Sequence, residues 1–94
     1  MNIIIRSPNE IIWEGEVEVV ETVNDDGPFT ILPDHANFMT PLKNTEILIT
    51  TTDKDTLSFL LVNAVLYLEN NLIKVFVHDS REVSDTTDQK KGDK

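Results

Sequence analysis

Three features of this sequence predict an all-β fold, a β-sandwich or flattened barrel of about eight to ten short, mostly antiparallel strands. Apolar and polar residues alternate with period two through much of it, as in Glu14-Gly15-Glu16-Val17-Glu18-Val19 and Glu46 to Thr51. Turn signals recur at short intervals, at Ser7-Pro8-Asn9-Glu10, Asn24-Asp25-Asp26-Gly27-Pro28, Thr52-Asp53-Lys54-Asp55 and Asn70-Asn71. The one stretch with a helical stripe, Leu57 to Glu69, runs directly into the Asn70-Asn71 connector, and a helix cannot return through such a turn in register with a strand.

The elements follow in order. Residues 2 to 6 have strand period, with Ile3 and Ile5 on one face. Ser7-Pro8-Asn9-Glu10 has the form of a helix N-terminus with a capping box, but the alternation and Gly15 that follow make it a turn between strands. From Ile11 to Val23 the residues Ile11, Trp13, Val17 and Val19 share a face and Val20 breaks the phase, so two strands are expected, divided near Gly15 or Val20. Asn24 to Pro28 is an acidic exposed loop. Phe29 to Leu32 is a strand stopped by Pro33, and Phe38-Met39-Thr40 is one stopped by Pro41. Lys43-Asn44-Thr45 reads as a turn, Glu46 to Thr51 as a strand and residues 52 to 55 as a hairpin loop. Leu57 to Glu69 is a long strand, bent at Asn63-Ala64 and apolar on both faces, joined through Asn70-Asn71 to Leu72–Val77. The domain is expected to span residues 1 to 83, with a polar, disordered tail at 84 to 94.

At 94 residues the chain is one domain, and folding buries only roughly 60 to 65 percent of its surface. Its net charge of -9 disfavours nucleic acid and anionic membranes and favours a basic or neutral protein partner. The absence of cysteine removes disulfides, thiolate nucleophiles and Cys-based zinc sites, and a reducing cytoplasm is the simplest compartment. The opening residues do not have the form of a secretory signal, and no apolar run approaches the roughly 20 residues a membrane-spanning helix needs.

Candidates for chemistry are His35, His78, Glu14, Glu16, Glu18, Glu21, Asp25 and Asp26, and they form no catalytic constellation. Two histidines without cysteine make only part of a zinc site, and Asp25-Asp26 lack the spaced acidic ligands of a calcium loop. Asp79 beside His78 points to the opposite face of a strand. No Gly-rich phosphate loop exists among Gly15, Gly27 and Gly92. The residues therefore predict no catalytic, cofactor-binding or metal site. They describe a small acidic β-sandwich that acts as an interaction module, either an adaptor or a ligand-binding module, with a metal-assisted enzyme as a distant third reading.

Three stretches add a resemblance. Ser7-Pro8-Asn9-Glu10-Ile11-Ile12-Trp13-Glu14-Gly15-Glu16-Val17, the segment from Gly27 through Ile31-Leu32-Pro33-Asp34-His35-Ala36 to Thr40, and Val62 to Val75 together resemble the N-terminal β-sandwich domain of the epsilon subunit of F-type ATP synthase. Thr30 and Asp34 stand where the family has glycine, Asn37 where it has proline, and Asn63-Ala64 where it has Gly-Gly. Asp34 and Asn63 tolerate φ > 0, whereas Thr30 does not. The polar end of the sequence is expected to mark a form lacking the family's C-terminal helical hairpin, so that hairpin's inhibition and ATP binding are not carried over.

The resemblance implies a non-catalytic rotor subunit without cofactor that couples the gamma subunit of the central stalk to the membrane c ring during proton-driven ATP synthesis. It would be peripheral, within the F1 sector with its alpha/beta assembly, at the cytoplasmic face of the inner (plasma) membrane. It implies further that Asn24, Asp25, Asp26, Gly27 and Pro28 meet the c ring and that a face carrying Ser7, His35 and Thr40 meets gamma.

Overall fold

The computed structural model of the protein describes residues 1 to 87. These form seven strands: β1 (Asn2–Arg6), β2 (Ile11–Asn24), β3 (Gly27–Ile31), β4 (Phe38–Thr51), β5 (Thr56–Glu69), β6 (Leu72–Val77) and β7 (Val83–Asp85), with one 3-10 turn at Ser80–Glu82. The hydrogen-bonded order β1-β6-β5-β4-β2 closes on itself through the β1–β2 pair, with β3 added to β2 and β7 to β5. A five-stranded closed barrel with two extra strands results, and the predicted all-β sandwich or flattened barrel is the observed fold.

The strands are fewer and longer than expected, because β2 and β4, like the long bent strand expected at β5, each run 14 residues and bend. Each bend shows in which residues are buried. A flat strand buries residues an even number apart, yet Val17 and Val20 in β2, Leu42 and Ile47 in β4, and Leu61 and Ala64 in β5 are all buried. The phase change in β2 is a register shift between Val17 and Val19. In β4 it falls at Asn44, whose φ is 48°. In β5 it falls at Val62-Asn63.

The partners change at the same points. β2 pairs β1 through Ile11 to Glu16 and β4 from Val17 onward. The second half of β5, from Ala64, pairs β6, while its first half pairs β7 at Phe59 to Leu61. The three long strands thus contribute to both layers, and the core between them is built of Ile3, Ile5, Val17, Val20, Ile31, Leu42, Ile47, Ile49, Leu61, Leu66, Ile73 and Val75.

Several expectations are corrected by these bends. Ile11 to Asn24 is one bulged strand and not two, and Val20 faces the core while Val19 does not. Pro41 and Lys43-Asn44-Thr45 do not end a strand. They lie within β4, where only β5 pairs with it, so the amide that Pro41 lacks is not missed. The β5 strand is apolar on both faces but buried mainly on one, with Leu60, Val62 and Tyr67 exposed. The tail expected from residue 84 is paired as far as Thr87: β7 joins β5, the Thr86 amide donates to the Ser58 carbonyl at 2.8 Å, and the Ser58 amide donates to Thr87 Oγ1 at 3.0 Å. Its remaining residues, 88 to 94, lie outside the described residues.

The turns predicted at Ser7 to Glu10 and at Asn70-Asn71 hold. Ser7 Oγ accepts from the amides of Asn9 and Glu10, closing the β1–β2 connection without a helix. Asn70 and Asn71 take φ values of 52° and 67°, which a two-residue hairpin between Glu69 and Leu72 requires.

Candidate functional site: an acidic hairpin and an exposed apolar strip

The Asn24–Pro28 segment is tighter than a loop. Asn24 pairs with Gly27, so Asp25 and Asp26 alone form the tip of the β2–β3 hairpin. Gly27 follows the tip with φ of 114°, a region closed to side chains, although nothing lies within 4 Å of where its Cβ would stand. Asn24 organises the tip from below: its Oδ1 accepts from the Asp26 amide at 2.9 Å, and its Nδ2 donates to Thr40 Oγ1 at 3.0 Å. Both aspartates and Pro28 are exposed.

Strand β3 leads from this tip to the segment Leu32 to Asn37. His35 is exposed; its Nδ1 donates to the Ala36 carbonyl at 2.8 Å, and its ring lies 5.3 Å from that of Phe38, which in turn meets Phe29 edge-on at 5.8 Å. The segment is clamped to the β5–β6 turn. The Asp34 amide donates to Asn71 Oδ1, Asn71 Nδ2 donates to Asp34 Oδ1, and the Asn70 amide donates to Asn37 Oδ1.

Ser7, His35 and Thr40 do not form one exposed face. Ser7 and Thr40 are only 3 % and 6 % exposed, their hydroxyls held within the fold, and Thr40 belongs with Asn24. Ser7 follows the far end of β1 from Asn2, whose amide bonds Asn71 beside Asp34. A five-residue strand, roughly 16 Å, therefore separates Ser7 from the His35 segment.

The exposed surface next to His35 is one that sequence reasoning missed. Cross-strand pairs place Met39 beside Tyr67, Tyr67 beside Lys74, and Lys74 beside Ile4; the next row places Pro41 beside Val65, Val65 beside Phe76, and Phe76 beside Arg6. Their neighbours Ile3, Ile5, Thr40, Leu42, Leu66, Leu68, Ile73 and Val75 point inward, so this set points outward. Met39 is 61 % exposed, Phe76 42 % and Tyr67 39 %, and the Tyr67 and Phe76 rings meet edge-on at 5.7 Å. The signal was the alternation itself: these are the apolar residues out of phase with the core.

The other candidates are dispersed. Glu14, Glu16 and Glu21 are exposed, and Glu18 accepts from Lys54 Nζ at 2.7 and 2.8 Å. His78 is exposed, and Asp79 caps the 3-10 turn, accepting from the Arg81 amide and guanidinium. Those hydrogen bonds from Arg81 hold the Asp79 carboxyl down at about 2. Among the described residues no group of three or more His, Asp or Glu could hold a metal ion.

The model of the ATP synthase delta/epsilon chain β-sandwich domain matches residues 1 to 82. The chain belongs to this family. The chloroplastic ATP synthase epsilon chain of Cucumis sativus is 31% identical over 90 residues, and that of Solanum lycopersicum 32% over 89, each match covering 95% of this chain and 66% of the relative. The chain thus spans just under two thirds of the length of these relatives.

Two solved structures share the fold. One is of the central stalk and c ring of the Tetrahymena thermophila mitochondrial ATP synthase, with TM-score 0.72 at 13% identity over 89% of this chain and 65% of that one. The other is of the OSCP/F1/c-ring assembly of the Euglena gracilis mitochondrial ATP synthase, with TM-score 0.77 at 9% identity over 88% of this chain and 51% of that one.

Within this delta/epsilon domain, the departures noted in the sequence have distinct structural outcomes. Asp34 adopts φ of 67°, whereas Thr30 lies in β3 opposite Glu21 and needs no unusual backbone. Asn63 also keeps negative φ.

Proposed function

We propose that the chain is a non-catalytic central-stalk subunit of an F-type ATP synthase that couples the gamma subunit to the c ring during proton-driven ATP synthesis. The observation that carries this reading is the family membership of residues 1 to 82, together with two exposed features of opposite chemistry on a closed barrel. Closure suits the role, because a barrel has few free edges to yield when torque passes through it.

The c-ring contact is assigned to Asn24, Asp25, Asp26, Gly27 and Pro28. Two carboxylates on a hairpin held by Asn24 to Thr40 would be a stiff acidic tip, suited to basic side chains on a ring. The gamma contact is assigned to His35 and the adjoining strip of Met39, Tyr67 and Phe76. Ser7 and Thr40 would serve that surface from within, as supports. As part of the F1 sector the protein would sit peripherally at the cytoplasmic face of the membrane; among the described residues no helix is long and apolar enough to cross one.

Co-purification tests the assembly: the tagged protein, expressed in its own host, should bring down gamma, beta and c subunits, and their absence would reject the reading. The ring assignment has its own test. Asp25→Lys with Asp26→Lys should leave the domain folded while lowering ATP-driven proton pumping per ATP hydrolysed in membrane vesicles; unchanged pumping would remove the hairpin from the ring contact.

A further inference from the structure

We infer that the exposed strip is a charge-selective docking surface, built for a partner face that is apolar at its centre and carries carboxylates, with Arg6 and Lys74 as the residues that read them. The inference rests on the proposal that this strip meets the gamma subunit, and names the chemistry gamma must present.

The argument is one of charge placement. The chain carries a net charge of -9, so an exposed apolar face would be expected to be bordered by acids. Acids do stand at its border, but the charges within it are cations. Of the five Lys and Arg residues between 1 and 87, Lys54 and Arg81 are spent on ion pairs with Glu18 and Asp79. Arg6, Lys43 and Lys74 hold no ion pair with any described residue, and all three belong to the strip. Lys74 stands between Ile4 and Tyr67, Arg6 beside Phe76, and Lys43 at the next outward position after Pro41. The acids stand at its border: Glu69 opposite Leu72, and, on β2 across β1, Glu14 opposite Ile4 and Glu16 opposite Asn2.

Lys74 and Arg6 are also half-buried. Such side chains lay their stems along apolar surface and keep the charged end wet, and Arg6 is steadied by its Nε donating to the Ser7 carbonyl at 3.1 Å. Covering the strip with a purely apolar face would strip water from two cations without replacing it, a penalty that a carboxylate on the partner removes. The area suits a single segment: four strands span about 14 Å and two outward rows about 7 Å, the footprint of roughly ten helical residues.

The test is binding of the purified full chain to the gamma subunit of the same organism, by calorimetry across a salt series. The double variant Arg6→Gln with Lys74→Gln should weaken binding about tenfold or more at low salt and flatten the salt dependence. Wild-type affinity and salt dependence in that variant would overturn the inference. Met39→Ser with Tyr67→Ser should lose binding at every salt concentration. If it does while the charge variant binds normally, the strip still meets gamma but without charge selection; if it too binds normally, the strip assignment falls and the inference with it. Circular dichroism checks folding, and Lys74→Met, which keeps the stem, replaces the glutamine variant should that variant unfold.

Discussion

Asp34 and Asn71 exchange two hydrogen bonds across 37 positions of sequence: the Asp34 amide donates to Asn71 Oδ1 at 2.7 Å, and Asn71 Nδ2 donates to Asp34 Oδ1 at 3.0 Å. Both residues have φ of 67°, so each occupies a backbone conformation that few side chains accept and uses its side chain to fix the other. Asn71→Asp keeps the backbone preference but removes the donor and sets two carboxylates face to face. It should cost about 1 kcal/mol. Urea midpoints of the two proteins check this, and a variant with no loss would show that the clamp carries no stability.

Gly15 is constrained by its neighbour and not by its backbone. A Cβ there would lie 2.8 Å from Trp13 Cη2, and the Trp13 ring is itself placed 6.5 Å from Phe59. Gly15→Ala should displace the indole and destabilise the domain by about 1 to 2 kcal/mol. As Trp13 is the single tryptophan of the chain, its fluorescence reports the displacement directly, and an unchanged emission maximum would contradict the predicted contact.

Ser58 joins the end of the described chain to the barrel. Its Oγ donates to Glu46 Oε2 at 2.5 Å and lies 2.7 Å from Thr86 Oγ1, which also reaches Glu46 Oε2 at 3.1 Å. Ser58→Ala should destabilise the domain by about 1 to 2 kcal/mol, because Ser58 is fully buried and water cannot replace its hydroxyl. Hydrogen exchange at the Thr86 amide should speed up in the variant, whereas exchange at β6 amides should rise only with global stability.

The Asp79 carboxyl is held at about 2 by its hydrogen bonds from Arg81, below the ordinary aspartate value of 3.8. Because its pKa is lowered in the folded protein, the contribution of this pair is fully present above pH 3.8 and is lost as pH falls through about 2. Carbon-detected NMR titration of the Asp79 carboxyl should show that midpoint, and Arg81→Gln should return it toward 3.8. The pair is solvent-accessible, so the change should melt the 3-10 turn locally and leave the barrel standing.

Turns and strand identity were legible in the sequence because both are local. Asn70-Asn71 and Asn24 to Gly27 carry backbone preferences that no distant contact needs to supply. Of the long strands, β5 was legible as one bent unit, whereas β2 and β4 were not. Pro41 and Asn44 have the local chemistry of a strand end, and it is the pairing with β5, kept in one register from Phe38 opposite Leu68 to Thr50 opposite Thr56 on both sides of Asn44, that carries β4 through them. The hairpin at Asn24 to Pro28 was found from sequence because its residues announce a turn. The strip was not, since Met39, Tyr67 and Phe76 come from three strands and meet only through register.

By itself, the sequence determined the all-β class, the hairpin turns, the acidic surface and the family resemblance, each of which depends on composition or on residues a few positions apart. Only the tertiary structure decided which side chains share a surface. It separated Ser7 and Thr40 from His35, seated Thr40 under the hairpin through Asn24, and gathered Arg6 and Lys74 onto one apolar face. The physical reason is the bending of β2, β4 and β5. A bend changes which parity of residue faces inward, so beyond it the inward and outward sets are fixed by the partner strand and cannot be counted along the chain.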